Sequence, residues 1–214
     1  MHVDSVTAIF FAALIVAIIL HEISHGVVAF LLGDDTAKLA GRLTLNPIPH
    51  IDPLGSIILP VFGALAHVPV VGWAKPVPVN PSRLREGRRD MLLVSLAGPG
   101  TNFALAAIAA VIARSQYQTV HASSVVLGDL SFRVLVPLLF AEANLFLGVF
   151  NFLPIPPLDG AALIERVLPR SWLPGWYRLR PYGILVLFLL VFSTDVLSRA
   201  FDPFLSHLYR FVLQ

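Results

Sequence analysis

Fifteen consecutive residues without a charge, Val6 to Leu20, run directly into His21-Glu22-Ile23-Ser24-His25. An apolar run of this length continued by a helical period reads as a helix long enough to cross a membrane. Placing His-Glu-x-x-His at the end of such a run narrows the choice further. Two imidazoles four residues apart lie one above the other on a helix face, so both can bind one metal ion. Glu22 is then placed to take a proton from a metal-bound water. The implied chemistry is hydrolysis inside a bilayer.

Composition agrees with that setting. Of 214 residues 57% are hydrophobic and 13% charged, against about 25% charged in a soluble globular chain. Mean hydropathy is +0.80. The apolar excess is too large for one buried core and implies a polytopic membrane protein. A net charge of +2 gives no reason to expect a nucleic-acid partner. With no cysteine in the chain, any metal site must be built from His, Asp and Glu. No Lys or Arg precedes the first apolar run, and the run continues through the motif, so it is not read as a cleaved leader.

The pattern predicts an all-α chain with about four to six transmembrane helices, a re-entrant segment and a small membrane-associated β-hairpin. A first helix runs from Ser5 to Leu32 and is ended by Gly33-Asp34-Asp35. Ala37 to Leu45, short, mixed and bounded by turn residues, reads as a strand or hairpin. Leu54 to Gly72 is apolar but broken by Pro60, His67 and Pro69, which favours re-entry over spanning. Further spans are expected at Met91–Ala113, Val134–Phe152 and Tyr182–Leu197, followed by an interfacial amphipathic helix over Arg199–Gln214. The whole is read as one domain, 1–214, with a catalytic core at about 5–168 and a C-terminal span and tail at 181–214. If Leu54–Gly72 re-enters, eleven Lys and Arg fall on one side against Arg114 and Arg133 opposite, the two tail arginines set aside. That asymmetry predicts an external N-terminus and a site toward the cytoplasm.

Two histidines leave a catalytic zinc site one protein ligand short. Acids at membrane depth are the candidates, because burying them is costly. Asp159 follows Pro154, Pro156 and Pro157, where an irregular backbone can turn a carboxylate into a cavity, although an ordinary helix N-cap would explain it too. Glu142 and Asp195 are weaker candidates; a paired acid is the plainer reading of Glu142. His50 and Asp52 are candidate supports for the ligands. Asn102, in AGPGTN, reads as structural, with Gly98 and Gly100 permitting close helix contact.

HEISHG, GRLTLNPIPHIDPLG, GWAKPVPVNP, SLAGPGTNF and NFLPIPPLDG together resemble the site-2 protease family of intramembrane zinc metalloproteases, over about Ala8 to Ala162. The resemblance is to a compact form of the family, without PDZ or CBS domains. The resemblance implies one Zn2+ per chain held by His21, His25 and Asp159, with Glu22 as general base. It makes Asn151 a substrate-binding or oxyanion candidate, against a plain interhelical hydrogen bond. The implied function is cleavage of a transmembrane protein substrate in a prokaryotic cell membrane, as in regulated intramembrane proteolysis; the chain could also form a homo-oligomer. An unwound substrate could pair with the Ala37–Leu45 strand or an extended Pro154–Pro157. Two rivals are an inactive membrane scaffold, which should have lost one of the four groups, and a metal-binding transporter, which should carry acids and histidines along several spans. This chain keeps all four groups and has one cluster.

Overall fold

The computed structural model describes residues 3–58, 62, 65, 73–122, 131–193 and 195–214, and every described element is helical. Among the described residues three helices are long and apolar enough to cross a membrane: α1 (Val3–Leu31), with α2 (Thr36–Leu39) a single turn after it, then α3 (Arg88–Ala122) and α4 (Phe132–Phe152). At 29 and 35 residues, α1 and α3 are about 43 and 52 Å long and exceed a ~30 Å hydrocarbon core. After α4, the described residues form the short or broken α-helices α5 (Ala161–Val167), α6 (Leu173–Leu179), α7 (Gly183–Ser193) and α8 (Val196–Leu213).

α3 is the centre of the molecule and packs against α4, α1 and α8. Ala106, Ala109, Ala110 and Ala113 line one of its faces at spacings of three and four, all buried. Small side chains let helix backbones approach closely where lipid supplies little hydrophobic drive. Leu138 and Ala141 of α4 and Leu208 and Val212 of α8 close on that stripe. The opposite faces leave Phe11, Ile15, Val16, Ile108, Val111 and Ile112 exposed, a surface suited to acyl chains rather than water.

The exit from α1 is fixed by a buried acid. Asp34 Oδ1 accepts the Thr36 N–H at 3.0 Å and the Thr36 hydroxyl, and Oδ2 accepts the Asn80 N–H at 2.6 Å. The segment after residue 72 is thereby tied to the end of α1. It is held again where the Val77 N–H donates to Glu22 Oε2 at 2.8 Å. A Cβ on Gly26 would lie 2.5 Å from the end of the Leu43 side chain and 3.1 Å from Val77, so glycine lets these loops lie close on α1.

Several expectations need correction. No strand occurs among the described residues. The expected hairpin at Ala37–Leu45 begins as the helical turn α2, with Leu39 and Ala40 N–H groups bonded to the carbonyls of Asp35 and Thr36. Gly41, at φ +65°, then turns the chain away. The hydrogen bonds from Thr36 to Asp34 favour the turn over extension. Among the described residues three helices, not four to six, can span. The Tyr182–Leu197 span is replaced by α7, whose 11 residues reach only about 16 Å, and by the start of α8. The tail does not stand apart as a surface helix, since α8 packs along α3 and α4. Most of Leu54–Gly72 lies outside the described residues. Its flanks meet each other: the Trp73 N–H donates to the Gly55 carbonyl at 3.2 Å and Ser56 Oγ to the Trp73 carbonyl at 2.8 Å.

Candidate metal centre

His21 and His25 sit on the buried face of α1, and their ring centroids are 4.6 Å apart. α4 ends at Phe152, and the prolyl link turns back on itself through bonds from Ile155 N–H to the Leu153 carbonyl and from Leu158 N–H to the Ile155 carbonyl. The link is therefore a chain of turns, not the extended segment expected. The Gly160 N–H then donates to the Asn151 carbonyl at 2.7 Å. This return swings Asp159 onto the histidines, with Oδ2 at 3.0 Å from His21 Nε2 and 3.3 Å from His25 Nε2. Gly160, not Asp159, stands at the N-cap of α5, and no side chain caps that helix, which disposes of the capping explanation for the carboxylate.

Hydrogen bonding fixes the tautomers. The Phe140 carbonyl can only accept, so Asn144 Nδ2 faces it at 2.9 Å and Asn144 Oδ1 is left for Asn102 Nδ2, also at 2.9 Å. Asn102 Oδ1 must then face His21 Nδ1, at 2.5 Å. His25 Nδ1 lies 2.6 Å from the Val94 carbonyl. Both Nδ1 atoms are thus N–H donors, and in the neutral rings both Nε2 atoms present lone pairs. These two lone pairs are 3.0 Å apart, and both face Asp159 Oδ2, itself buried without a hydrogen-bond donor. Three converging lone pairs repel one another unless a cation lies among them. A proton satisfies one pair, whereas a divalent ion satisfies all three. A set of two imidazoles and one carboxylate, all within 4.8 Å, suits Zn2+.

Gly98 makes this packing possible. A Cβ there would lie 2.5 Å from His21 Cε1 and 2.6 Å from His21 Nε2. Gly100, expected to play a similar part, faces open space. Glu22 projects from the same turn of α1. The other acids lie elsewhere: Glu142 accepts from the Tyr209 hydroxyl at 2.7 Å, and Asp195 begins α8. Asp52 caps the turn at residues 54–56, and His50 Nε2 faces the Thr44 carbonyl at 3.0 Å, so neither supports a histidine of the group. Asn151 Nδ2 donates to Leu147 of its own helix at 3.1 Å. The sequence reading passed over Asn102 and Asn144 as supports of the centre. The available signal was the cost of burying two amides fully between apolar helices.

Such a donor set, on helices of this length and apolarity, defines a candidate metal centre in a membrane protein. Over 196 residues the chain is 39% identical to the Bacillus subtilis protein named "Putative zinc metalloprotease YwhC", covering 90% of this chain and 84% of that one. It is 30% identical over 198 residues to "Putative zinc metalloprotease Rip2" of Mycolicibacterium smegmatis, covering 89% and 68%. Against Rip2 of Mycobacterium tuberculosis H37Rv identity is 36% over 155 residues, 72% of this chain and 55% of that one. The chain belongs to the family of these proteins, the site-2 protease family. The expectation of a zinc metalloprotease agrees with the names its relatives carry. No family model and no solved structure matches the chain.

Proposed function

We propose that this protein is an intramembrane zinc endopeptidase that hydrolyses a peptide bond within or beside a transmembrane segment of another membrane protein, as in regulated intramembrane proteolysis. The observation that carries this reading is the convergence of three ligand atoms, from His21, His25 and Asp159, between apolar helices. His21, His25 and Asp159 would hold Zn2+, which would supply a Lewis acid and make a water acidic enough to be activated near neutral pH. Glu22 accepts the proton of the attacking water. Its Oε2 is held by the Val77 N–H, which leaves Oε1 for that proton and for its later delivery to the leaving amine. Asn151 Nδ2 spends one N–H on Leu147 and keeps a second, placed in this reading to donate to the scissile carbonyl oxygen. A helical substrate hides its peptide bonds and must unwind locally before attack.

The same reading sets the topology, with the site toward the cytoplasm and Leu54–Gly72 re-entrant. It is supported by the flanks at Gly55 and Trp73, which meet on one side, and by the excess of Lys and Arg there. Cleavage of single-span substrates in liposomes tests the chemistry. Glu22→Gln, at zinc content matched to wild type, is expected to cut about 10²–10⁴-fold more slowly. Equal rates in the two proteins would refute Glu22-dependent hydrolysis.

A further inference from the structure

α8 carries a polar face where such a face is costly. Phe201 stacks on Phe146 of α4 with ring centroids 4.7 Å apart, and the Tyr209 hydroxyl donates to Glu142. Leu208 and Val212 join the buried cluster of Leu138 and Ala141. Contacts therefore advance from 201 to 212 on α8 as they retreat from 146 to 138 on α4. α8 runs antiparallel to α4, alongside the middle of a helix that is itself a candidate span. On the opposite side of α8, Arg199, Asp202, Ser206 and Arg210 recur at spacings of three and four and form one exposed stripe. Among the described residues no ion pair takes up Arg199, Asp202 or Arg210. In hydrocarbon, charges on a helix face pair with one another or face a polar surface. A lipid-facing stripe of this kind requires a partner.

We propose that this stripe is the contact with a second copy of this chain, α8 against α8, about a two-fold axis along the membrane normal. At its Arg199–Asp202 end the stripe complements itself, while Arg210 lies at the last turn of α8. In such a contact residues at the same height meet, and Arg199 lies three residues, or about 4.5 Å along the axis, from Asp202. Arg199 of one copy thus reaches the partner's Asp202, and the reciprocal pair forms across the axis. Ser206 lies midway along the stripe and is small enough for the helices to approach closely.

Because the chain has no cysteine, a single one reports on this contact in protein reconstituted alone into neutral-lipid vesicles. Oxidation of Ser206→Cys is expected to give a disulfide-linked dimer, while Ile108→Cys, exposed on α3, gives none at the same protein density. Adding Arg199→Asp or Asp202→Arg to the Ser206→Cys protein should lower the dimer yield at least about fivefold. Mixing the two charge-reversed proteins should restore it, which no folding defect would do. Cross-linking of Ser206→Cys no faster than that of Ile108→Cys would overturn the proposal. A dimer yield indifferent to both charge reversals would overturn it as well.

Discussion

Asn102 does more for the metal centre than its setting among alanines and glycines suggests. Its carbonyl oxygen fixes His21 in the tautomer that turns Nε2 inward, and its amide is fixed in turn by Asn144 and the Phe140 carbonyl. Removing the amide frees the ring to rotate and leaves Nδ1–H buried without an acceptor. Outer partners of this kind contribute about 10–100-fold in metal affinity. Asn102→Ala is therefore expected to weaken zinc binding by about that factor, measured on the purified protein by competition with a chromogenic chelator. Unchanged affinity would reduce Asn102 to a helix-packing residue. His21, Glu22 and His25 were legible because a fixed spacing on one helix face needs no tertiary knowledge. Asp159 was legible as the best of three acids, and the family resemblance added weight to it. The Asn102–Asn144 relay was not, because the two residues are 42 positions apart and are aligned only when α3 and α4 pack.

At the scale of elements, long uniform helices were read well and short polar ones badly. A charge-free stretch such as Val6–Leu20 has few alternatives to helix, whereas Ala37–Leu45 is decided by which hydrogen bonds its neighbours offer. Asp34 makes that decision. Burial alone would raise the pKa of this carboxyl, but the hydrogen bonds from Thr36 and the Asn80 N–H outweigh it, together with nearby Arg83, and hold it below the ordinary carboxyl value. A folded-state pKa below the unfolded one means that the stabilisation is fully present above about pH 4 and is lost as pH falls through the folded value. Acid titration of thermal unfolding in detergent should show it. Wild type should lose stability more steeply below about pH 4 than Asp34→Asn, although the variant starts lower at neutral pH for want of a charge-assisted acceptor. Parallel curves would mean that Asp34 stays charged over the range or contributes nothing. The misread fourth span has a related cause. The hydropathy of Tyr182–Leu197 is high, but α7 stops after 11 residues and the chain spends its next apolar face on α3 and α4.

At the scale of the whole molecule, the site has to face one compartment. α1 runs toward His25 and the basic loops, α3 runs back from Arg88 to Ala122, and α4 returns to the link that carries Asp159. The ends of α3 and α4 remote from the site hold Arg114 and Arg133, while Lys75, Arg83, Arg85, Arg88 and Arg89 crowd the near side. In the proposed topology, retention of Lys and Arg on the cytoplasmic face would put the metal centre on that face. The cysteine-free chain permits a direct measurement of this. Gln118→Cys, exposed near the far end of α3, should react with a membrane-impermeant maleimide on intact cells, and Ser82→Cys, exposed before its start, only after permeabilisation. The reverse pattern would place the site outside, and substrates would then be cut toward that face. Both positions reacting only after permeabilisation would mean that α3 does not cross, and the membrane-embedded reading of the centre would fail with it. The expected pattern, by contrast, would oblige any substrate segment to present its scissile bond near the inner end of its span, because His21, His25 and Asp159 are held there by the ends of α1 and α4.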